Sequence, residues 1–350
     1  MSKVFFLILS IIALVSCVDR ACDCESSSKK MTVDLVNHPF KGSIRAIEVL
    51  NDTCVWYAGS NGQFGYTLND GKDWFRDTIT INGYHPEFRS IAITDQAVFL
   101  LSVASPALLF KSVDNGESWN IVYQEDHPSC FYNSMAFWDD QNGIAVGDPV
   151  DNCLSVIITH DGGETWNKLG DNSLPSTVTG EAGFAASNTN ISLFGNHAWL
   201  VSGGTKARVF HSSDRGLSWE VYDTPISQGE QMTGIFSVDF YDEKNGVIFG
   251  GDWNHQEMNS KCKAVTNDGG KTWKLIGEGV DPGFRSCVQY VPEIHGLKMF
   301  AVGMPGISFS EDKGESWVNL STDSFYTIRI SESGKVAWLA GKDKITKMTW

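Results

Sequence analysis

The sequence predicts an all-β fold, a seven-bladed β-propeller with Asp-box turns. Three observations predict it: a turn phrase repeated six times, four strand-like runs per repeat, and two chain ends that each supply part of one blade. The phrase reads Ser or Thr, then Asp or Asn, then Gly, then Trp, at fixed spacing. It occurs at Thr67-Asn69-Gly71-Trp74, Ser112-Asp114-Gly116-Trp119, Thr159-Asp161-Gly163-Trp166, Ser212-Asp214-Gly216-Trp219, Thr266-Asp268-Gly270-Trp273 and Ser310-Asp312-Gly314-Trp317. Successive Asp or Asn positions lie 45, 47, 53, 54 and 44 residues apart, the period of an array in which each repeat is one small sheet.

The residue types follow from the needs of a turn. A short Asp or Asn oxygen accepts from backbone N–H groups of the turn it stands in. Glycine two residues later permits positive φ, and the Trp opening the next strand buries a large ring against the neighbouring sheet. The phrase differs from a calcium loop, because no copy has a trailing Glu or a dense run of oxygen ligands. Its role is structural, and no metal site is expected.

Between copies the pattern is three strands, the turn and a fourth strand. In the second repeat the strands are 88–93, 97–103 and 107–112, then 119–123, which gives four-stranded antiparallel blades. After the sixth copy, 325–330, 336–340 and 344–348 supply three strands and the sequence ends. Residues 32–36 have no blade of their own, so they should complete the seventh and remove an exposed sheet edge.

Residues 1–16 read as a lipoprotein signal peptide: Lys3 supplies the positive start, and 4–15 form an apolar run too short to span a bilayer. Leu14-Val15-Ser16-Cys17 matches a lipobox, making Cys17 the lipid-attachment site and the mature N-terminus. Residues 17–30 form a lipidated polar tether containing Ser26, Ser27 and Ser28, and 31–350 the propeller. The expected location is therefore extracytoplasmic, lipid-anchored in a bacterial cell envelope (periplasm or outer membrane), with the membrane reached through the lipid alone and the chain a monomer.

Against 27 Lys and Arg stand 42 Asp and Glu, a net charge of -15, which argues against nucleic acid as a partner. Eight cysteines occur. Cys22 and Cys24 lie in the tether, while spacing allows a Cys130–Cys153 bridge within one repeat and a Cys262–Cys287 bridge between neighbours; sequence leaves the pairing open.

In a propeller the first strand of each blade lines a central channel, and its entry loop shares a face with the loop joining strands two and three. The repeated turns fall on the opposite face, so a site should lie away from the most conspicuous motif. The two longest intervals place insertions at 168–183 and 251–261, both on the site face, where loops collect function. Arg45, Arg89 and Arg285 hold matching places on first strands of repeats one, two and six. Asp148, Glu181 and Asp252 bring carboxylates to the same rim, with Tyr132, Asn133 and Trp253 as polar or aromatic neighbours. One reading is a pocket in which arginines fork onto an anionic group and paired carboxylates serve recognition or acid–base chemistry. The other is that these groups satisfy one another and the channel's loose backbone groups.

Given these boxes, the chain resembles the Asp-box (BNR) propellers, and within them the seven-bladed photosystem II assembly and stability factors and their non-photosynthetic bacterial relatives. The likeness spans about residues 31–350 and includes Phe131-Tyr132-Asn133-Ser134-Met135-Ala136-Phe137-Trp138, Gly147-Asp148-Pro149-Val150, Gly180-Glu181-Ala182-Gly183-Phe184-Ala185-Ala186-Ser187 and Gly250-Gly251-Asp252. It implies a non-enzymatic module that binds a protein or glycan partner in the envelope, without a cofactor. No dinucleotide loop, haem motif or metal-ligand cluster supports oxidoreductase chemistry. More distantly, the three arginines are similar to the arginine triad of sialidases, which implies the alternative: a glycoside hydrolase using two of Asp148, Glu181 and Asp252.

Overall fold

Short apolar runs between glycine- and Asp-rich turns fold into antiparallel strands throughout the described residues of the computed structural model, which are 32–170, 172–292 and 295–350. The signal segment, Cys17, Cys22, Cys24 and the tether lie outside the described residues.

β1 (Asp34–Asn51), β2 (Cys54–Gly59), β3 (Gln63–Thr67) and β4 (Phe75–Thr78) open the chain. β5 (Phe88–Ile93), β6 (Val98–Ser102), β7 (Ala107–Ser112) and β8 (Asn120–Glu125) form a sheet in chain order. β9 (Tyr132–Phe137), β10 (Gly143–Val150), β11 (Cys153–Thr159) and β12 (Asn167–Lys168) form the next. Then come β13 (Glu181–Ala182), β14 (Ile191–Phe194), β15 (His197–Val201), β16 (Gly203–Gly204), β17 (Arg208–Ser212) and β18 (Glu220–Asp223). Of these, β14, β15, β17 and β18 make a four-stranded sheet.

β13 and β16 instead extend the following sheet, built on β19 (Thr233–Phe240), β20 (Gly246–Asp252), β21 (Lys263–Thr266) and β22 (Lys274–Leu275). β23 (Cys287–Tyr290), β24 (Met299–Gly303), β25 (Gly306–Ser310) and β26 (Val318–Ser321) make another sheet. β27 (Thr327–Ile330) and β28 (Val336–Thr349) complete the chain.

Hydrogen bonding groups these strands into six sheets, where the sequence predicts seven. The difference lies in β1 and β28, which run unbroken through a six-stranded sheet ordered β27-β28-β1-β2-β3-β4. β1 pairs with β28 from Asp34↔Thr349 to Pro39↔Lys344, shifts register before Ser43↔Lys342, and pairs with β2 beyond Ile44. Both strands bend at this shift rather than end. Gly42 takes a φ of 97°, and its N–H donates to Asp343 Oδ1 at 2.7 Å. The two chain ends thus share one ladder, and the innermost strands adjoin in the order β1, β5, β9, β14, β19, β23, β27 and β1 again.

The repeated turns are built as their chemistry requires. In the second copy, Asp114 Oδ1 accepts from the Ser112 hydroxyl and the Ser118 amide, Oδ2 accepts from the Ser118 hydroxyl, and the Ser112 hydroxyl oxygen accepts from the Gly116 amide. The Ser118 and Ser112 hydrogen bonds hold the Asp114 carboxyl at about 2, below its usual range. Asn69 keeps the scheme with an amide: its oxygen takes the Asp73 N–H and its nitrogen donates to Asp73 Oδ2.

After the first copy the Trp reaches the preceding sheet, and in the first copy it reaches the β28 end of its own six-stranded sheet. Trp119 stands edge-on to Phe64, Trp166 to Phe99 and Trp317 to Phe249, and Trp74 meets Trp338 of β28 at 6.0 Å. Trp166 is buried and Trp74, Trp119 and Trp317 are half-buried, each packed on a buried cluster in a seam between strands of different repeats.

Neither open disulfide pairing forms, because Cys130, Cys262 and Cys287 are buried free thiols. Their sulfurs donate instead to the carbonyls of Glu125, Pro282 and Ile328.

Candidate functional site

The two ends of the inner strands differ. Along β1, Ile44 pairs with Gly59 at one end; Val49 pairs with Val55 toward the other, where Val55 pairs with the turn residue Thr67. Arg45 therefore lies at the end away from the boxes. The 168–183 connection reaches this end too, since the Thr177 amide donates to Asn152 in the β10–β11 turn.

Past β13 the chain runs among the inner strands and closes the channel with residues 183–190. Small residues let it pass: a Cβ on Gly183 would stand 2.1 Å from Asn133 Nδ2. Arg89 Nη1 donates to the Ala185 carbonyl at 3.1 Å and Arg45 Nη1 to the Ala186 carbonyl at 3.3 Å. The Ser187 hydroxyl donates to the Ser286 carbonyl at 2.8 Å. The Thr327 hydroxyl donates to the Ser187 carbonyl, and Arg329 Nη2 to the Asn188 carbonyl.

Asn188, at φ 58°, donates through Nδ2 to Ile91 O and accepts the Met135 amide on Oδ1. Val238 N–H bonds to Thr189 O, and the Ser134 hydroxyl to Asn190 Oδ1. One short segment is thereby bonded to β1, β5, β9, β19 and β27, and to Ser286 just before β23. Inner-strand ends carry backbone groups that need partners, and Ser and Asn side chains supply them without bulk.

Above this plug Arg45 and Arg89 come together. The Arg45 guanidinium lies 3.8 Å from the centre of the Tyr326 ring, and that of Arg89 lies 5.9 Å from Phe131. Burial, with the Arg89 charge next, lowers Arg45 to about 10; burial lowers Arg89 too, against the pull of Glu87. Among the described residues neither joins an ion pair, and both remain half-buried. Phe184 stacks on Phe236, with Phe284 and Trp253 edge-on beyond, in a buried aromatic cluster that also takes in Ala186 of the segment.

Arg285 is not the third member of this group. It is 4% exposed, donates to Phe284 O and Ser308 Oγ, and feels Cys262 and Asp281 rather than the other two arginines. Tyr132 is absent from the rim as well. It is fully buried, and its hydroxyl donates to Glu125 Oε2 at 2.8 Å within a network containing Tyr123 and Lys168.

Each of the three carboxylates has partners of its own, although Glu181 and Asp252 share one sheet and Asp148 bonds to Gly183 beside β13. Glu181 is held by Arg208 through both oxygens and also accepts from the Ser202 hydroxyl and the Val178 amide. Asp148 accepts from Asn133 Nδ2 and the Gly183 amide, and burial raises its pKa in spite of them. Asp252 pairs with His255 and with the Asn254 amide.

Sequence reading missed Arg208 and Arg329. Arg329 anchors the plug and lies 3.9 Å from Glu48. Burial raises Glu48, and raises Asp239 to about 7, each against the Arg329 charge. The available signal was a charged residue inside an otherwise apolar first strand: Ile47-Glu48-Val49, Val238-Asp239-Phe240 and Ile328-Arg329-Ile330. Among the described residues no group of three or more His, Cys, Asp or Glu is placed to hold a metal.

With this geometry described, the similarities to known proteins fall into place. A family described as BNR/Asp-box repeat matches residues 157–168, the third turn and its flanks. Among solved structures, YCF48 bound to D1 peptide is 13% identical with a TM-score of 0.65, over 91% of this chain and 97% of that one. YCF48 from Cyanidioschyzon merolae is 14% identical (TM-score 0.62, 91% and 98% covered) and U3-55K 13% identical (TM-score 0.63, 91% and 98% covered). At such identities the likeness shows the fold, which is a β-propeller. Among curated proteins none matches the sequence.

Proposed function

We propose that this propeller is a non-enzymatic binding module that receives an acidic peptide segment of a protein partner on the arginine and aromatic surface above the plug. The observation that carries the reading is the pair Arg45 and Arg89, oriented by plug carbonyls and aromatic faces and in no ion pair among the described residues. Guanidinium groups so positioned lose little freedom on gripping a carboxylate in a forked bond. The neighbour bound to D1 peptide supports the idea that a propeller of this shape takes a peptide.

Around this core stand readings of finer grain. We take the six-stranded sheet as two blades sharing β1 and β28, which makes seven blades closed by the N-terminal strand. The chain is placed with the non-photosynthetic bacterial branch of the assembly-factor propellers. Cys17 would carry the lipid that holds the module in the cell envelope as a monomer.

The test is a peptide array probed with the full chain. Segments rich in Asp and Glu, or ending in a free carboxylate, should bind, and amidation or added salt should weaken them. Binding indifferent to charge would remove the arginine reading. A parallel screen of aryl glycosides, sialosides included, addresses the hydrolase alternative: turnover abolished by Glu181→Gln in a still folded chain would replace the binding module with an enzyme.

A further inference from the structure

The displacement of Arg285 from the channel mouth leaves it on a cavity of its own. A pocket of about 180 Å³ opens between the β20–β21 loop and the edge of the β23–β26 sheet. It is lined by Arg285, Ser308, Asn319 and Trp317, and by Asp281 and Glu257. Arg285 as a residue is 4% exposed, and among the described residues no carboxylate forms an ion pair with it. Among the described residues its donated bonds are the two to Phe284 O and Ser308 Oγ, and its Nε has no partner.

A guanidinium has five N–H donors, and a buried cation without a counter-ion is costly. Burial lowers this one to about 10. Ser308 is fixed beside it by register, since Ser308 pairs with Asn319 across β25 and β26. These three polar side chains make a seat for a carboxylate. Asp281 and Glu257 are exposed, so their charges remain available to a cation, and Trp317, edge-on to Phe249, gives a flat wall.

We propose that this seam pocket binds a small zwitterion of the amino-acid class, its carboxylate on Arg285 and Ser308 and its ammonium toward Asp281 and Glu257. A simple anion would satisfy the arginine but meet two acidic side chains with nothing to offer them. A simple amine would leave the buried guanidinium unpaired. The volume excludes a folded partner and admits one residue-sized molecule. This site is separate from the Arg45 and Arg89 surface and does not depend on the reading given to it.

The experiment is calorimetric titration of the full chain with free L-amino acids, their amides and the matching carboxylic acids lacking the amino group. At least one amino acid should bind saturably, and loss of either charge should weaken it about tenfold or more, the scale of a charge-assisted bond. Ser308→Ala should weaken binding severalfold, read in a variant that still unfolds cooperatively, since it also removes an acceptor from the buried Arg285. Arg285→Gln should abolish it; should that variant fail to fold, Ser308→Ala and Asp281→Asn carry the test. Absence of saturable binding up to millimolar amino acid overturns the proposal, as does binding that both Ser308→Ala and Asp281→Asn leave unchanged.

Discussion

The box end of the inner strands and the mouth end solve the same problem in opposite ways. At the box end, one amide in each turn is satisfied by the turn's own Asp or Asn, so six copies look alike. At the mouth, inner-strand groups are satisfied by a single segment from elsewhere in the chain, residues 183–190, bonded to residues as distant in sequence as Arg45 and Arg329. The local solution repeats and is visible as a motif. The central one occurs once, and it is what positions Arg45 and Arg89.

This contrast ranks the substitutions that test it. Removing Arg208 should have the largest effect, because the Glu181 side chain it holds is wholly removed from solvent. Arg208→Ala leaves that carboxylate uncompensated, and chemical denaturation should record a loss of about 3–5 kcal/mol. A loss below 1 kcal/mol would mean that Glu181 is hydrated and the β13 connection mobile.

The plug comes next. Asn188→Ala removes one acceptor and one donor that tie β9 and β5 to the segment, and about 3 kcal/mol should disappear from the same measurement. Asn also tolerates its positive φ better than Ala does. If the mouth were an open channel with water at these groups, the variant would be nearly neutral.

A single box should matter least. Asp161→Ala removes the acceptor of the Thr165 amide and hydroxyl and of the Thr159 hydroxyl. The turn is exposed, so about 1 kcal/mol is expected. Burial would raise the Asp161 carboxyl, but those hydrogen bonds outweigh it and hold it at about 2, against 3.8 when free. A carboxyl lower in the folded than in the unfolded state stabilises above the unfolded value and loses its contribution as pH falls through the folded one. The gap between variant and parent should therefore shrink between about pH 4 and pH 2; a gap that is constant with pH would assign the loss to packing.

The same contrast explains what was legible in the sequence. The repeated turns, the strand succession and the joining of the N-terminal strand to the C-terminal strands follow from local spacing, with one strand before the first repeat and three after the sixth turn; the pairing itself runs over 34–39 and 344–349. The number of separate sheets did not follow, because whether β1 and β28 break or merely bend at Gly42 and Asp343 depends on their mutual hydrogen bond. Matching positions on first strands drew Arg45, Arg89 and Arg285 together, yet periodicity fixes only the height of a side chain on its strand. Arg285 turns to Ser308 on its own sheet instead. Glu181 reads as a rim carboxylate in the sequence because its partner Arg208 lies 27 residues on, beyond any local pattern.

The central claim is that ligand recognition belongs to the mouth and stability to the boxes. The most direct measurement titrates one acidic peptide, chosen from the array, into the parent chain, into Arg45→Gln/Arg89→Gln and into Asp114→Asn. The account predicts about tenfold or greater weakening for the arginine pair and unchanged affinity for the box variant. Affinity retained without the two arginines, or lost with Asp114→Asn in a folded chain, would contradict it.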